Sequence, residues 1–262
     1  MAKSPSEFLI WDMRRRRTAE GLTQEQWAAR LHYSHQHVSS IERGRRPALP
    51  DYLAMIDREF STSFVAFYEE FVLAEAEPVW LREWTRLERE ALMLRWFEAL
   101  VVPGLLQTEA YATAVLTEAG LRGSTAERVA ARLARQEVLR RKDPVLRFLA
   151  VIDQAVLTRP VGGPAVMSEQ LDAILTACAL PNVSVQVVPT DVGAYPGVNG
   201  PFVVATVEDG IYGYLDNQLA GQVVGSRAEV ADLVETWEAL RSYALSERQS
   251  IELIKEVKQS WT

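Results

Sequence analysis

Residues 21–47 constrain what this chain can fold into more tightly than any other segment. They read GLTQEQWAARLHYSHQHVSSIERGRRP, with apolar residues at helical spacing on either side of a short polar break. Thr23 and Gln26, three residues apart, form a capping box, so a helix is predicted to start at Gln24. Trp27, Ala28 and Leu31 give that helix one apolar face. His32 and Tyr33 end it, and Ser34 is a good N-cap for a second helix. Val38 and Ile41 point this second helix back at the first, while His35, Gln36, Ser39, Ser40 and Arg43 are predicted to face outward. Two inward anchors under short hydrogen-bonding side chains suit the major groove of duplex DNA. Gln pairs with the adenine edge there, and Ser or a His nitrogen meets several base edges.

Charge is distributed to match. The whole chain of 262 residues carries a net charge of −7. Between residues 11 and 46, however, eight basic residues (Arg14, Arg15, Arg16, Arg17, Arg30, Arg43, Arg45, Arg46) stand against four acidic ones, a local net of +4. The positive field therefore sits at the end that would meet phosphates, and the acidic remainder is not expected to touch DNA extensively.

Residues 11–60 resemble the Cro/Xre-type helix-turn-helix domain of phage repressors and bacterial regulators. The matching positions are GLTQE at 21–25, AARL at 28–31, Tyr33-Ser34 and VSSIERGRRP at 38–47. The resemblance implies that His35, Gln36 and Ser40 read bases and that Gln24, Ser34 and Arg43 hold phosphates. Arg14, Arg17, Arg45 and Arg46 complete the expected phosphate-contacting set. Two positions depart from the family pattern. His32 stands where a glycine usually supplies a left-handed backbone. The unbroken Arg14-Arg15-Arg16-Arg17 puts an arginine, Arg16, at a core-facing position, from which it would snorkel. Phe8, Leu9, Trp11 and Met13 would then supply most of the inward face of the first helix.

The length suits about two domains, at roughly 100–200 residues each. No apolar run approaches the roughly 20 residues that span a bilayer, and no signal peptide opens the sequence, so a cytoplasmic protein is expected. The single cysteine, Cys178, lies in an apolar helical run and reads as a structural thiol. All three histidines (His32, His35, His37) fall within residues 21–47; neighbours at i and i+2 point to different sides of a helix, and no carboxylate or cysteine completes a metal set. No metal or other cofactor is expected.

Residues 53–60 should complete the small helical domain, followed by two aromatic stripes. Phe64, Phe67, Tyr68 and Phe71 are predicted on one helix, and Trp80, Trp84, Leu87, Ala91 and Leu94 on the next, separated by Pro78. They read as core, with a ligand pocket as the alternative. Farther on, Ser124 and Glu127 open a helix running to about Lys142, with Arg128, Arg132 and Arg135 in a row that either faces solvent, pairs with acidic neighbours or adds phosphate contacts. Strands are predicted at 145–152 and 183–188, and a hairpin at 201–215 around Asp209-Gly210. Ser226 with Glu229 and Ser246 with Gln249 cap two final helices. The stripe Ile251, Ile254, Val257 and Trp261 on the last one suits either a dimer seam or packing on its own domain. Residues 190–200 read as a surface loop or a ligand lid.

The segments at 100–112, 132–139, 161–171 and 181–189 resemble a C-terminal domain of unassigned biochemical function that follows the Xre-type reader in many actinobacterial regulators, WhiJ-like and antitoxin-like proteins among them. That resemblance implies a possible small acidic partner protein, but no catalytic residue. Gly162-Gly163-Pro164 lacks the Lys-Ser/Thr of a phosphate loop, and Asp153, Asp191, Glu208 and Asp209 have no histidine beside them, so an enzyme is not expected. The predicted architecture is multi-domain: an all-α helix-turn-helix domain at 6–60, a helical connector at 61–100 and a larger α+β domain at 101–262. The expected function is a sequence-specific transcriptional regulator, a homodimer on a double-stranded operator, with the C-terminal domain serving dimerisation, a protein partner or a small-molecule effector. An antitoxin-like protein that neutralises a small partner and regulates its own operon is the alternative.

Overall fold

The computed structural model describes residues 4–72, 79–119, 124–216 and 221–261. The chain forms two compact units, Met1–Val79 with Ala126–Ala131, and Trp80–Thr125 with Arg132–Thr262. The expected connector at 61–100 is divided between them, residues up to Val79 in the first unit and those from Trp80 in the second.

The first unit is helical: α1 (Pro5–Ala19), α2 (Gln24–Arg30), α3 (His35–Glu42), α4 (Pro50–Phe60) and α5 (Phe64–Phe67), which runs into a π-helical turn at Tyr68–Val72. Leu9, Met13, Trp27, Leu31, Val38, Ile41, Leu53, Ile56 and Phe60 form one buried cluster, which Phe64, Tyr68 and Val72 extend. Trp27 stacks on Phe60 with ring centroids 4.2 Å apart. The Asp57 carboxylate accepts the backbone N–H groups of Phe64 and Val65, at 2.7 and 2.9 Å, and so fixes the start of α5. Phe64 and Tyr68 of the first aromatic stripe are core, Phe67 is half-buried and with Phe64 lines an open cavity beside Phe8 and Leu9, and Phe71 is exposed. Phe8 and Trp11 depart from expectation, being 40% and 42% exposed. Leu9 and Met13, one turn apart, are the buried residues of α1. Arg16 meets its predicted inward position by donating from Nη2 to the Phe60 carbonyl at 2.8 Å and pairing with Glu20 at 3.0 Å.

The second unit is built on a six-stranded mixed sheet. Its elements are α6 (Val79–Glu90), β1 (Met93–Glu98), α7 (Glu109–Glu118), the ends of α8 (Thr125–Ala134, whose residues Ala126–Ala131 belong to the first unit), β2 (Arg147–Asp153), α9 (Gln154–Thr158), α10 (Pro164–Ala177), β3 (Val183–Val188), β4 (Phe202–Val207), β5 (Gly210–Asp216), β6 (Gly221–Val224), α11 (Arg227–Tyr243) and α12 (Glu247–Gln259). Strand order is β3-β2-β1-β4-β5-β6. β1, β2 and β3 run parallel, and β4, β5 and β6 continue antiparallel from β1. Alternation along each strand divides its side chains between two cores. Leu94, Trp96, Phe148, Ile152, Val185 and Val203 face one, shared with Trp84, Tyr111, Leu171 and Ile254. Phe97, Val151, Val188 and Val204 face the other, shared with Trp237 and Leu240 of α11.

Two corrections concern this unit. Ala91 lies beyond the helix and Leu94 in β1, not on a helix with Trp84 and Leu87, because α6 stops at Glu90 and the mostly apolar segment Met93–Glu98 becomes a central strand. Such a run satisfies either period over a short span. Secondly, the helix predicted to reach Lys142 tightens into a 3-10 segment from Arg135 to Arg140. Pro78 and the side chain of Trp80 lie outside the described residues. The last helix packs on its own unit: Ile254 and Val257 are buried, and the Trp261 indole donates to the Leu157 carbonyl at 3.0 Å. The stripe is thereby used internally, with Ile251 half-buried at its start.

Candidate nucleic-acid interface

The ends of the reading element are set by backbone hydrogen bonding. Thr23 Oγ1 accepts from the Gln26 amide at 3.2 Å, and Gln26 Oε1 accepts from the Thr23 amide at 2.9 Å, completing the predicted box at α2. Ser34 Oγ accepts from the His37 amide at 3.2 Å and caps α3. Its own hydroxyl proton remains a donor for a phosphate. Helices α1, α2 and α3 all end in the same paired motif, in which the two residues after the cap donate back to the last turn. Gly21 and Leu22 bond to Thr18 and Arg17, His32 and Tyr33 to Ala29 and Ala28, and Gly44 and Arg45 to Ile41 and Ser40. The motif needs a left-handed residue, which Gly21 (φ 69°), His32 (φ 58°) and Gly44 (φ 67°) supply.

Val38 and Ile41 seat α3 on the core with no exposed surface. His35 and Gln36 are exposed and Ser40 is half-buried, so the three predicted base readers stand on the outer side of α3. Ser39 is only 7% exposed and leaves the predicted outer face. Its carbonyl accepts from Arg43 Nε at 3.1 Å, laying that side chain along the helix end. Arg45 and Arg46 are exposed just beyond.

Beneath this surface lies an ion pair that sequence reading missed. Glu42, 4% exposed, receives Arg17 in a two-pronged contact, Nε to Oε1 at 2.6 Å and Nη2 to Oε2 at 3.0 Å. Gln24 Nε2 donates to the same carboxylate at 2.6 Å, and Arg14 Nε stands 3.9 Å away. Arg17 Nη1 also donates to the Leu22 carbonyl. One carboxylate at the end of α3 therefore ties α1 and α2 to it. Of the expected phosphate contacts, Arg17 and the Gln24 amide are bonded to Glu42 within the protein and tie the helices together. Arg14, exposed at the rim of the pair, keeps donors for a phosphate.

The row of arginines on α8 divides: Arg128 lies in the stretch that belongs to the first unit, and Arg132 and Arg135 lie in the second. Arg135 pairs with buried Glu88 at 2.7 Å, and Arg132 Nη1 donates to Gln107 Oε1 at 3.0 Å. Both are taken up inside the unit, which excludes them as phosphate contacts. Burial raises the Glu98 carboxyl to about 8, against the lowering effect of the Trp96 indole hydrogen bond; Asp216 raises it further and Arg132 lowers it. The 190–200 segment folds onto the core: Tyr195 is buried and its hydroxyl donates to Asp153 Oδ2 at 2.5 Å. Cys178 is the C-cap of α10, and burial lifts its thiol to about 11, consistent with a structural role. Among the described residues no group of histidine, cysteine and carboxylate side chains could hold a metal ion, and no helix is long and apolar enough to cross a membrane.

A compact helical unit with an exposed, doubly capped second helix is a helix-turn-helix domain, and a family profile described as a helix-turn-helix domain matches residues 11–58. A second profile, described as a domain of unknown function (DUF5753), matches residues 81–256, and the chain belongs to that family. No curated protein and no solved structure matches the chain.

Proposed function

We propose that this protein is a sequence-specific transcriptional regulator that reads duplex DNA with α3. The observation that carries this reading is the exposure of His35 and Gln36 on a helix whose two ends and inner face are fixed by the protein itself. Gln36 and Ser40 then supply base-edge hydrogen bonds with His35 beside them, while Ser34, Arg43, Arg45, Arg46 and Arg14 supply phosphate contacts. The acidic second unit serves regulation without chemistry of its own, through dimerisation or by receiving a small molecule or a protein partner. A two-fold dimer sets two reading helices about 34 Å apart on a pseudo-palindromic operator.

Selection of duplexes from a random pool by the full chain tests this. The expected result is a recurring half-site repeated at one helical turn. Enrichment of no sequence, with binding that follows salt alone, would overturn it.

A further inference from the structure

His37 is set apart from the other two histidines by its contacts. Its amide is anchored in the Ser34 cap, and its ring lies 4.6 Å from the Tyr33 ring and 5.6 Å from that of Tyr52. Tyr52 is itself held by the Trp27 indole, which donates to its hydroxyl at 3.2 Å. In this aromatic slot His37 Nδ1 stands 2.9 Å from Arg46 Nη1. A guanidinium has donors only, so Nδ1 is the acceptor and the ring proton resides on Nε2. The groups facing the ring are Tyr33 from the turn, Tyr52 from α4 and Arg46 from the segment after α3. Burial, and then the charge of Arg46, hold His37 below its ordinary 6.5.

From this geometry we propose that His37 is a positioning residue for Arg46: its neutral ring fixes the guanidinium beside the reading helix for one phosphate, and protonation of the ring releases it. The inference rests on the DNA-binding reading above. Arg46 is otherwise an exposed, rotamer-rich side chain. Ordering it before the duplex arrives removes part of the entropy cost of binding. Protonation turns Nδ1 into a donor, so the bond is lost and two cations face each other.

A double-mutant cycle on the full chain, with the selected duplex, tests the role. Near pH 7.5 His37→Ala and Arg46→Ala should each weaken binding about three- to tenfold, and together no more than Arg46→Ala alone. Near pH 5, roughly 1.5 units below the ordinary histidine value, the coupling should vanish, whereas His37→Gln, an acceptor that does not titrate, should keep it at both values. Additive losses near neutral pH, or coupling that persists in acid with histidine present, would overturn the proposal. A DNA-free measurement separates the pairing from its use: in Arg46→Ala the NMR titration of His37 should move up toward 6.5. An unmoved titration refutes the pairing itself. A moved titration in a protein that prefers no duplex refutes the regulator reading and, with it, the phosphate role.

Discussion

His32 occupies a backbone position that the neighbouring helix ends fill with Gly21 and Gly44. A side chain in the left-handed region costs on the order of 1 kcal/mol, and His32 is exposed, so it gains little packing in return. His32→Gly should therefore stabilise the first unit by about 0.5–1 kcal/mol, the gain being trimmed by the greater freedom of glycine in the unfolded chain. Urea unfolding measures it, and a loss of stability would show that the imidazole makes a compensating contact. Gln36→Ala and Ser40→Ala act differently, because they remove side chains from a surface rather than relieve strain. Each should cost about 1–3 kcal/mol on the preferred duplex and relax choice at particular base pairs. Equal losses on every sequence would show that these positions do not read bases. Arg45→Ala should weaken binding to all duplexes and reduce the salt slope by about 0.9, one phosphate contact's worth. An unchanged slope in competition titrations would remove Arg45 from the interface.

At the scale of elements, Glu42 governs the arrangement of three helices. Breaking a buried ion pair by removing one partner costs about 3–5 kcal/mol, because the other charge is left without compensation. Glu42→Ala should fall in that range in thermal or urea unfolding, while Glu42→Leu combined with Arg17→Met should lose distinctly less. Equal losses in the two variants would mean that the pair does not act as a unit. This pair was hidden from the sequence because Arg17 and Glu42 lie in different helices, with nothing local to join them. What was legible was local: the Thr23, Ser34, Ser226 and Ser246 caps appear where residue type and spacing put them, and the hairpin forms as expected, though its two loop residues are Glu208 and Asp209 and Gly210 already pairs with Val207. β3 was legible because Val183, Val185 and Val187 alternate inward. β1 was not, since its apolar residues continue the stripe of α6. β6 escaped too, as a four-residue strand that begins at Gly221 and depends on β5 for its register. Within the reading helix, Ser39 was misplaced because a small polar side chain carries no sign of the face it occupies.

For the whole molecule, pH should act through the second unit. The folded-state value of Glu98 is raised from 4.5 to about 8. Its contribution to stability is therefore fully present below about pH 4.5, where both folded and unfolded forms are protonated, and is lost as pH rises through about 8. Unfolding midpoints should accordingly fall between pH 5 and 8.5, roughly the window set by that shift. Glu98→Gln, neutral throughout, should flatten the fall; an identical pH profile in the variant would assign the trend to other groups. The strand that carries Glu98 also sets an order of events during synthesis. β1 sits between β2 and β4, and Met93 finds its antiparallel partner only at Thr206. The N-terminal helices draw mainly on neighbours in the chain and can close while the ribosome is still translating the rest. A central strand must wait, with its apolar edge unsatisfied, until residues 202–207 emerge. Every nascent copy thus passes through an interval in which the helix-turn-helix surface is complete and the second unit is not.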